Sequence, residues 1–325
     1  MNVPGEPTIT HRLVETDAGR IHLVEQGSGP LVLLVHGFPE SWYSWRRQIP
    51  VLAEAGYRVA AIDVRGYGRS SKPHDVAAYR MVELVEDNVA VVHALGERSA
   101  VVVGHDWGSS IAAHSALLRP DVFRAVGLLS VAYAPRGGPR PTEIFAAMGG
   151  GDEFYISYFQ EPGRAEAEIE PDVRGWLAGV YAALSGDTMP HDRDPHYVSP
   201  GGRLRDRFPA DRLPAWLSDD DLDVYAAEFE RTGLRGALNR YRNMDRDWED
   251  LAEFDGAPIT QPSLFAGGAL DATTTWMADA IAAYPATLPG LVSSHLLDGC
   301  GHWIQQERPE EVNRILTDWL AALPR

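Results

Sequence analysis

Three residues of this sequence have the types and settings to cooperate in breaking a bond: Asp106, Asp271 and His302. Asp106 is the centre of Gly104-His105-Asp106-Trp107-Gly108. Residues 100–103 before it are apolar and valine-rich, too short a run for a helix and suited to a buried strand. Residues 109–118 after it are an alanine-rich helix-former closed by Pro120. Strand, glycine-flanked turn and helix form the setting in which G-x-S-x-G throws one side chain out above a sheet. Here that side chain is a carboxylate. It cannot behave as a serine does, but it can attack a saturated carbon and become an alkyl ester.

Asp271 and His302 each follow a predicted strand, 262–266 and 291–297, after a turn containing glycine. Standing alone, Asp271 reads as a cap for a helix beginning near Thr273, and His302 as one of eleven histidines satisfied by a neighbour. With Phe38, which follows the apolar residues 31–35, they lie just beyond the carboxyl ends of predicted strands, where open α/β sheets bind ligands. Nucleophile, acid, histidine is also the chain order of α/β-hydrolases.

The elements that must position these groups alternate along the chain. Residues 12–16 and 21–24 flank Asp17-Ala18-Gly19 as a hairpin. Residues 31–35, 58–62 and 125–130 read as further strands, the first apolar throughout as in a central strand covered on both faces. Residues 41–55 and 81–95 read as helices. The rhythm then fails. From 134 to 247 there are helical patterns and Pro/Gly-rich connections without a convincing strand: 154–160, 171–184 with proline in its first turn, a helix opened by a Ser218/Asp221 capping box, and 234–244. Residues 187–214 lack periodicity, and a loop of that length is usually functional or mobile. Alternation resumes with helices over 275–283 and 309–323. The expected architecture is an α/β fold with a mostly parallel central sheet flanked by helices. Residues 1–133 and 248–325 form its core domain, and 134–247 a helical cap inserted in it.

Composition narrows the partners. With 325 residues the chain can bury a large core, and 29 Lys+Arg against 46 Asp+Glu give a net charge of −17 with no basic run. That excludes nucleic acid and anionic membrane surfaces as expected partners. One cysteine, Cys300, permits no internal disulfide; residues 1–10 lack the features of a signal peptide, and no apolar stretch is long enough to span a bilayer, so a cytoplasmic location is expected.

Four motifs, His36-Gly37-Phe38-Pro39, Asp63-Val64-Arg65-Gly66-Tyr67-Gly68, the Asp106 turn and Gly301-His302-Trp303, resemble those of the α/β-hydrolase-fold epoxide hydrolases of the soluble, bacterial-like type, and the likeness covers nearly the whole chain. Tyr155-Ile156-Ser157-Tyr158-Phe159-Gln160-Glu161-Pro162-Gly163 and Tyr241-Arg242-Asn243-Met244 resemble that family's two lid-tyrosine motifs. Spacing alone leaves Tyr155 and Tyr158 both open; the resemblance implies Tyr155 and Tyr241 as the substrate-facing pair. It also implies conversion of a small-molecule epoxide to a vicinal diol and a cis Phe38-Pro39 bond. Ring opening leaves an alkoxide, which calls for neutral hydroxyl donors, and tyrosine supplies them at pH 7. Asp106 would form the ester. His302, oriented by Asp271, would activate the water that hydrolyses it, with the Phe38 and Trp107 amides as oxyanion hole. Phe38, Trp42 and Trp303 are expected to line an apolar pocket. No cofactor or metal is implied, and a homodimer through the lid is compatible with this reading.

Other residues read as structural. Cys300 has no elbow around it; His36 and His105 read as supports of their turns; Asp219-Asp220-Asp221 and Glu249-Asp250 have no histidine or cysteine at ligand spacing. The nearest alternative is a haloalkane or haloacid dehalogenase. A halide needs N–H donors, yet Phe38 stands where haloalkane dehalogenases commonly have asparagine, and Trp107 cannot hold a substrate carboxylate as arginine does. A non-catalytic ligand receptor on the same fold is the alternative from another class, and it predicts a broken constellation; here all five groups are present.

Overall fold

The computed structural model describes residues 9–17, 19–190, 194–209 and 211–324. Ala18 of the hairpin turn, part of 187–214 and all but two of residues 1–10 lie outside them. Among the described residues no helix is long and apolar enough to cross a membrane.

Eight strands form the central sheet: β1 (Thr10–Thr16), β2 (Gly19–Gly27), β3 (Leu31–Val35), β4 (Arg58–Ile62), β5 (Ala100–His105), β6 (Phe123–Leu129), β9 (Ser263–Gly268) and β10 (Leu291–Leu297). Their spatial order is β1-β2-β4-β3-β5-β6-β9-β10. Only β2 runs antiparallel to its neighbours, as the hairpin signal requires; the rest are parallel. Because strand side chains alternate, the apolar runs feed two cores. Leu31, Leu33 and Val35 face one, with the helices Met81–Ala94 and Trp107–Leu118; Val32 and Leu34 face the other, with Ile49–Glu54 and Pro309–Ala322. All of β3 and β5 is buried, so the loops at their carboxyl ends start from rigid supports.

Between β6 and β9 the chain is mainly helical, and the nearly fully buried Val173–Ala183 is its longest apolar helix. Against the strandless expectation, it contains a two-stranded ribbon, β7 (Glu153–Phe154) with β8 (Tyr197–Val198). Two-residue strands offer no alternation to read. Pro171 lies in a 3-10 turn just before its helix rather than within it, and the expected helices over 41–55 and 275–283 are each broken into shorter pieces. Pro141–Gly149 is unusual in that none of its residues is buried. It is bracketed by Gly137-Gly138 and Gly149-Gly150-Gly151, and is pinned where Thr142 donates from N and Oγ1 to Asp245 at 3.1 and 2.7 Å.

The Asp63–Gly68 motif is architectural. Asp63 accepts from the amides of Trp42 and Arg69, both at 3.0 Å, while Arg65 makes a two-pronged buried pair with Asp87 at 2.7 and 2.8 Å.

Candidate active site

Asp106 is the last residue before the Trp107–Leu118 helix and has φ 53°, ψ −122°, a strained conformation for a residue with a side chain. The turn is tight enough that a Cβ on Gly104 would collide with the carbonyl of Gly108, hence glycine there. Asp106 Oδ1 accepts from the Phe38 amide at 2.7 Å, and Oδ2 lies 3.5 Å from His302 Nε2. The Phe38-Pro39 bond is cis. Trp107, whose amide is the other expected oxyanion donor, is the first residue of the helix, where backbone N–H groups have no partner within the helix.

His302 Nδ1 meets Asp271 Oδ2 at 2.9 Å. Asp271 also caps the short helix that follows it, accepting from Thr273 N at 3.0 Å and Oγ1 at 2.7 Å, so the capping and acid readings coexist in one side chain. Burial alone would raise the Asp271 pKa; His302, then the Thr273 bonds, outweigh it and hold the carboxyl below its usual range. Burial would likewise lower the His302 pKa, but Asp271 first and Asp106 second reverse it, and the imidazole lies well above its ordinary value.

Tyr155 opens its short helix, and its amide donates to the His196 carbonyl at 2.8 Å. Tyr241 ends Arg235–Tyr241 and packs edge-on against Phe38, Trp107 and Phe159, at centroid distances of 5.4, 5.2 and 4.9 Å. The two tyrosine rings are 6.2 Å apart and line the same cavities as Asp106. Burial, with the negative charge of Asp106 adding to it, pushes both phenols upward, so they stay protonated as donors. Tyr158 turns away instead: its hydroxyl donates to Glu168, and Arg164 stacks 3.5 Å from its ring centroid. That separates two tyrosines which spacing left equivalent.

Two of the expected pocket residues are elsewhere. Trp42 packs its ring against Tyr43 and His11, at 5.6 and 5.5 Å. Trp303 is fully buried behind His302, 4.7 Å between centroids, and donates from Nε1 to the Tyr181 carbonyl at 3.2 Å. Neither lines the cavities around Asp106; Phe38 does. An aromatic beside a motif reads the same in sequence whether it faces ligand or core.

Supports surround the histidine: His105, expected to brace its own turn, reaches further, and Glu40, Ser130 and Glu307 were missed in the sequence. His105 joins Glu40 Oε2 at 2.7 Å to the His302 carbonyl at 2.8 Å, and Ser130 Oγ donates to that same carbonyl at 2.7 Å. Ser130 follows β6, a strand-end position of the kind used to pick Asp106, and that was its only signal. Glu307 accepts from the amides of Gly301 and Trp303 at 2.9 and 3.0 Å, cradling the His302 turn. Cys300 is buried, and burial pushes its thiol far upward, which makes it inert. Asp221 pairs with Arg46 at 3.1 Å and caps its own helix with Ser218.

A nucleophile that can form an ester, a histidine–carboxylate pair to hydrolyse it, and two opposed neutral phenols can together open a strained ether ring. Comparison with known proteins agrees in kind. Residues 30–309 match the model of the alpha/beta hydrolase fold family. Epoxide hydrolase B of Mycobacterium tuberculosis is 44% identical, with 96% of this chain and 98% of that protein covered. Among solved structures, an epoxide hydrolase from an endophytic Streptomyces is 73% identical with TM-score 0.95, covering 96% of this chain and 95% of that one. Epoxide hydrolase A from Mycobacterium thermoresistibile is 45% identical with TM-score 0.92, covering 98% and 99%.

Proposed function

The chain belongs to the epoxide hydrolases of the α/β-hydrolase fold, and from that premise we infer that it works through a covalent ester on Asp106. The observation that carries the reading is the unequal treatment of the two Asp106 oxygens. Oδ1 is already held by the Phe38 amide, in the place an ester carbonyl would occupy, whereas Oδ2 faces the cavity and His302. Oδ2 attacks a ring carbon; the ring C–O bond breaks, and the departing oxygen takes its proton from Tyr155 or Tyr241 on the opposite side. Residues 134–247, which carry both tyrosines, act in this reading as the cap.

Water then adds to the ester carbonyl, giving its proton to His302, while the Phe38 and Trp107 amides hold the oxyanion. Collapse releases the diol, protonated by His302, and the proton left on the Asp106 carboxyl passes to the imidazole, restoring the resting carboxylate. The resting charges suit this order. Asp106 helps hold a proton on His302, and esterification removes that negative charge, so the imidazole's hold on its proton weakens; it can pass that proton to the phenolate left by ring opening and is then free to accept one from water.

Single turnover in ¹⁸O-water with enzyme in excess tests the reading. The ester route puts the label into Asp106 and leaves the first diol unlabelled, since that diol takes its second oxygen from the carboxylate. Label in the first diol would mean direct attack by water and would refute the ester.

A further inference from the structure

The space around Asp106 is lopsided. Asp106, Tyr155, Tyr241 and Thr273 line both of two adjoining cavities and so form the neck between them. On one side lies a chamber of about 460 Å³ walled by Trp107, Phe145, Met148, Met244, Trp276 and Met277. On the other, Phe38, Phe159, Trp176 and Phe208 close in, and about 50 Å³ is left. The room for the centre of a water-sized group is about nine times larger in the chamber than on the small side.

The two walls also differ in stiffness. Phe38, Phe159, Trp176 and Phe208 are all buried in the core, whereas Phe145, Met148, Met244 and Met277 are only partly buried, and Ile144 at the chamber's edge is 40% exposed. Methionine adapts to irregular apolar shapes. The small side has a competing use, because His302 and Asp271 line it and the hydrolytic water must sit there. A third cavity of about 270 Å³ reaches His302 and Asp271 past Asp194 and His196. None of Asp106, Tyr155 and Tyr241 lines it, so it meets the site at the hydrolytic pair and not at the groups that open the ring.

Resting on the assignment of Asp106, Tyr155 and Tyr241 as the reacting groups, we propose that the protein selects unsymmetrical, terminal epoxides: one extended apolar arm fills the methionine-lined chamber, and the other ring carbon carries only hydrogen. An epoxide with long arms on both carbons must force one of them into the aromatic side, where it meets buried rings and displaces the water of the second step.

Two isomers separate ring position from hydrophobicity, 1,2-epoxydecane with one octyl arm and trans-5,6-epoxydecane with two butyl arms. If one butyl goes unburied, kcat/KM for the terminal isomer should exceed that for the internal one by about a hundredfold. The variant Met148→Trp, which fills the chamber, should lower kcat/KM for 1,2-epoxydecane at least about tenfold and leave 1,2-epoxypropane within about twofold. Equal rates for the two decane isomers would overturn the proposal, as would a Met148→Trp effect as large on epoxypropane as on epoxydecane. Failure of the underlying reading looks different, because a single turnover of 1,2-epoxydecane in ¹⁸O-water would then put label into the first diol, whatever the ratio of rates between the isomers.

Discussion

Replacing Gly37 by alanine isolates the geometry of the nucleophile from its chemistry. Gly37 is not in the left-handed region, so alanine is allowed there by the backbone, and the whole effect is steric. The added Cβ would stand 2.7 Å from Asp106 Cγ and nearer still to Oδ1 and Cβ. Ordinary carbon contacts begin at about 3.5 Å, so the two Cβ atoms must separate by about 1.1 Å. Rotation of the side chain cannot move the Asp106 Cβ, so the segment carrying residue 37 must shift off the Asp106 turn, which takes the Phe38 amide away from its 2.7 Å bond to Oδ1. A displacement near 1 Å costs on the order of 100-fold in rate, and the lost charge-assisted bond adds about 1.5–3 kcal/mol. Ester formation should therefore slow by roughly 10³- to 10⁴-fold, while overpacking lowers folding stability by only about 1–3 kcal/mol. Rapid-quench single turnovers with intact-protein mass spectrometry measure the ester, and circular dichroism melts check the fold. Ester formation within about fivefold of wild type in a folded variant would show that the close packing of Gly37 on Asp106 does not set the rate.

His302→Gln should form the ester at a rate near that of wild type and fail to release it, so the adduct mass persists on the intact protein; a variant with no adduct would count against Asp106 as nucleophile. Tyr155→Phe or Tyr241→Phe should each slow ring opening by roughly 10- to 1000-fold and the double variant nearly abolish it, read as the burst of ester in stopped flow, with an unchanged burst refuting the donor role. The Asp271–His302 pair gives a stability signature. The Asp271 folded-state pKa is lowered, so its contribution is present above about pH 4 and is lost as pH falls through the folded value; the His302 pKa is raised, so its contribution is full below about pH 6.5 and is lost as pH rises through the folded value. The destabilisation by Asp271→Asn in urea should thus be greatest at about pH 5–6 and shrink toward pH 9, and the acid limb of ester hydrolysis should move to lower pH because Asp271 is what holds the proton on His302; a destabilisation independent of pH would refute the coupling.

The residues that gather at the candidate site were readable because each sits in a short contiguous motif at the end of a strand whose apolar pattern is plain. Asp106, Asp271, His302 and Phe38 all come from such places, and the sheet from β3 to β6 follows the same pattern. What escaped were relations between distant segments. His105 reaches Glu40 across 65 residues and the His302 carbonyl across 197, and nothing local marks any of the three as partners. Trp42 and Trp303 were misplaced for the same reason, since facing a cavity or a core is decided by packing from elsewhere in the chain. Within 41–55 a separate 3-10 turn, Trp42–Trp45, interrupts the helical pattern, and within 275–283 the break falls at Met277, whose ψ of 16° leaves the helical region. The cavity's lopsidedness was invisible, because it depends on which of many aromatics and methionines meet.

The helix Pro141–Gly149 gives the molecule a region of cheap variation. It supplies Ile144, Phe145 and Met148 to the large chamber yet buries none of its residues, so most substitutions along it should change stability by no more than about 0.5 kcal/mol. Asp106, Asp271 and His302 lie among buried partners where almost any change is expensive. On the proposal that the chamber receives the apolar arm, substrate choice is written on a part of the chain that can be rewritten without disturbing those three, and descendants of this sequence can exchange one apolar arm for another while Asp106, Asp271 and His302 stay as they are.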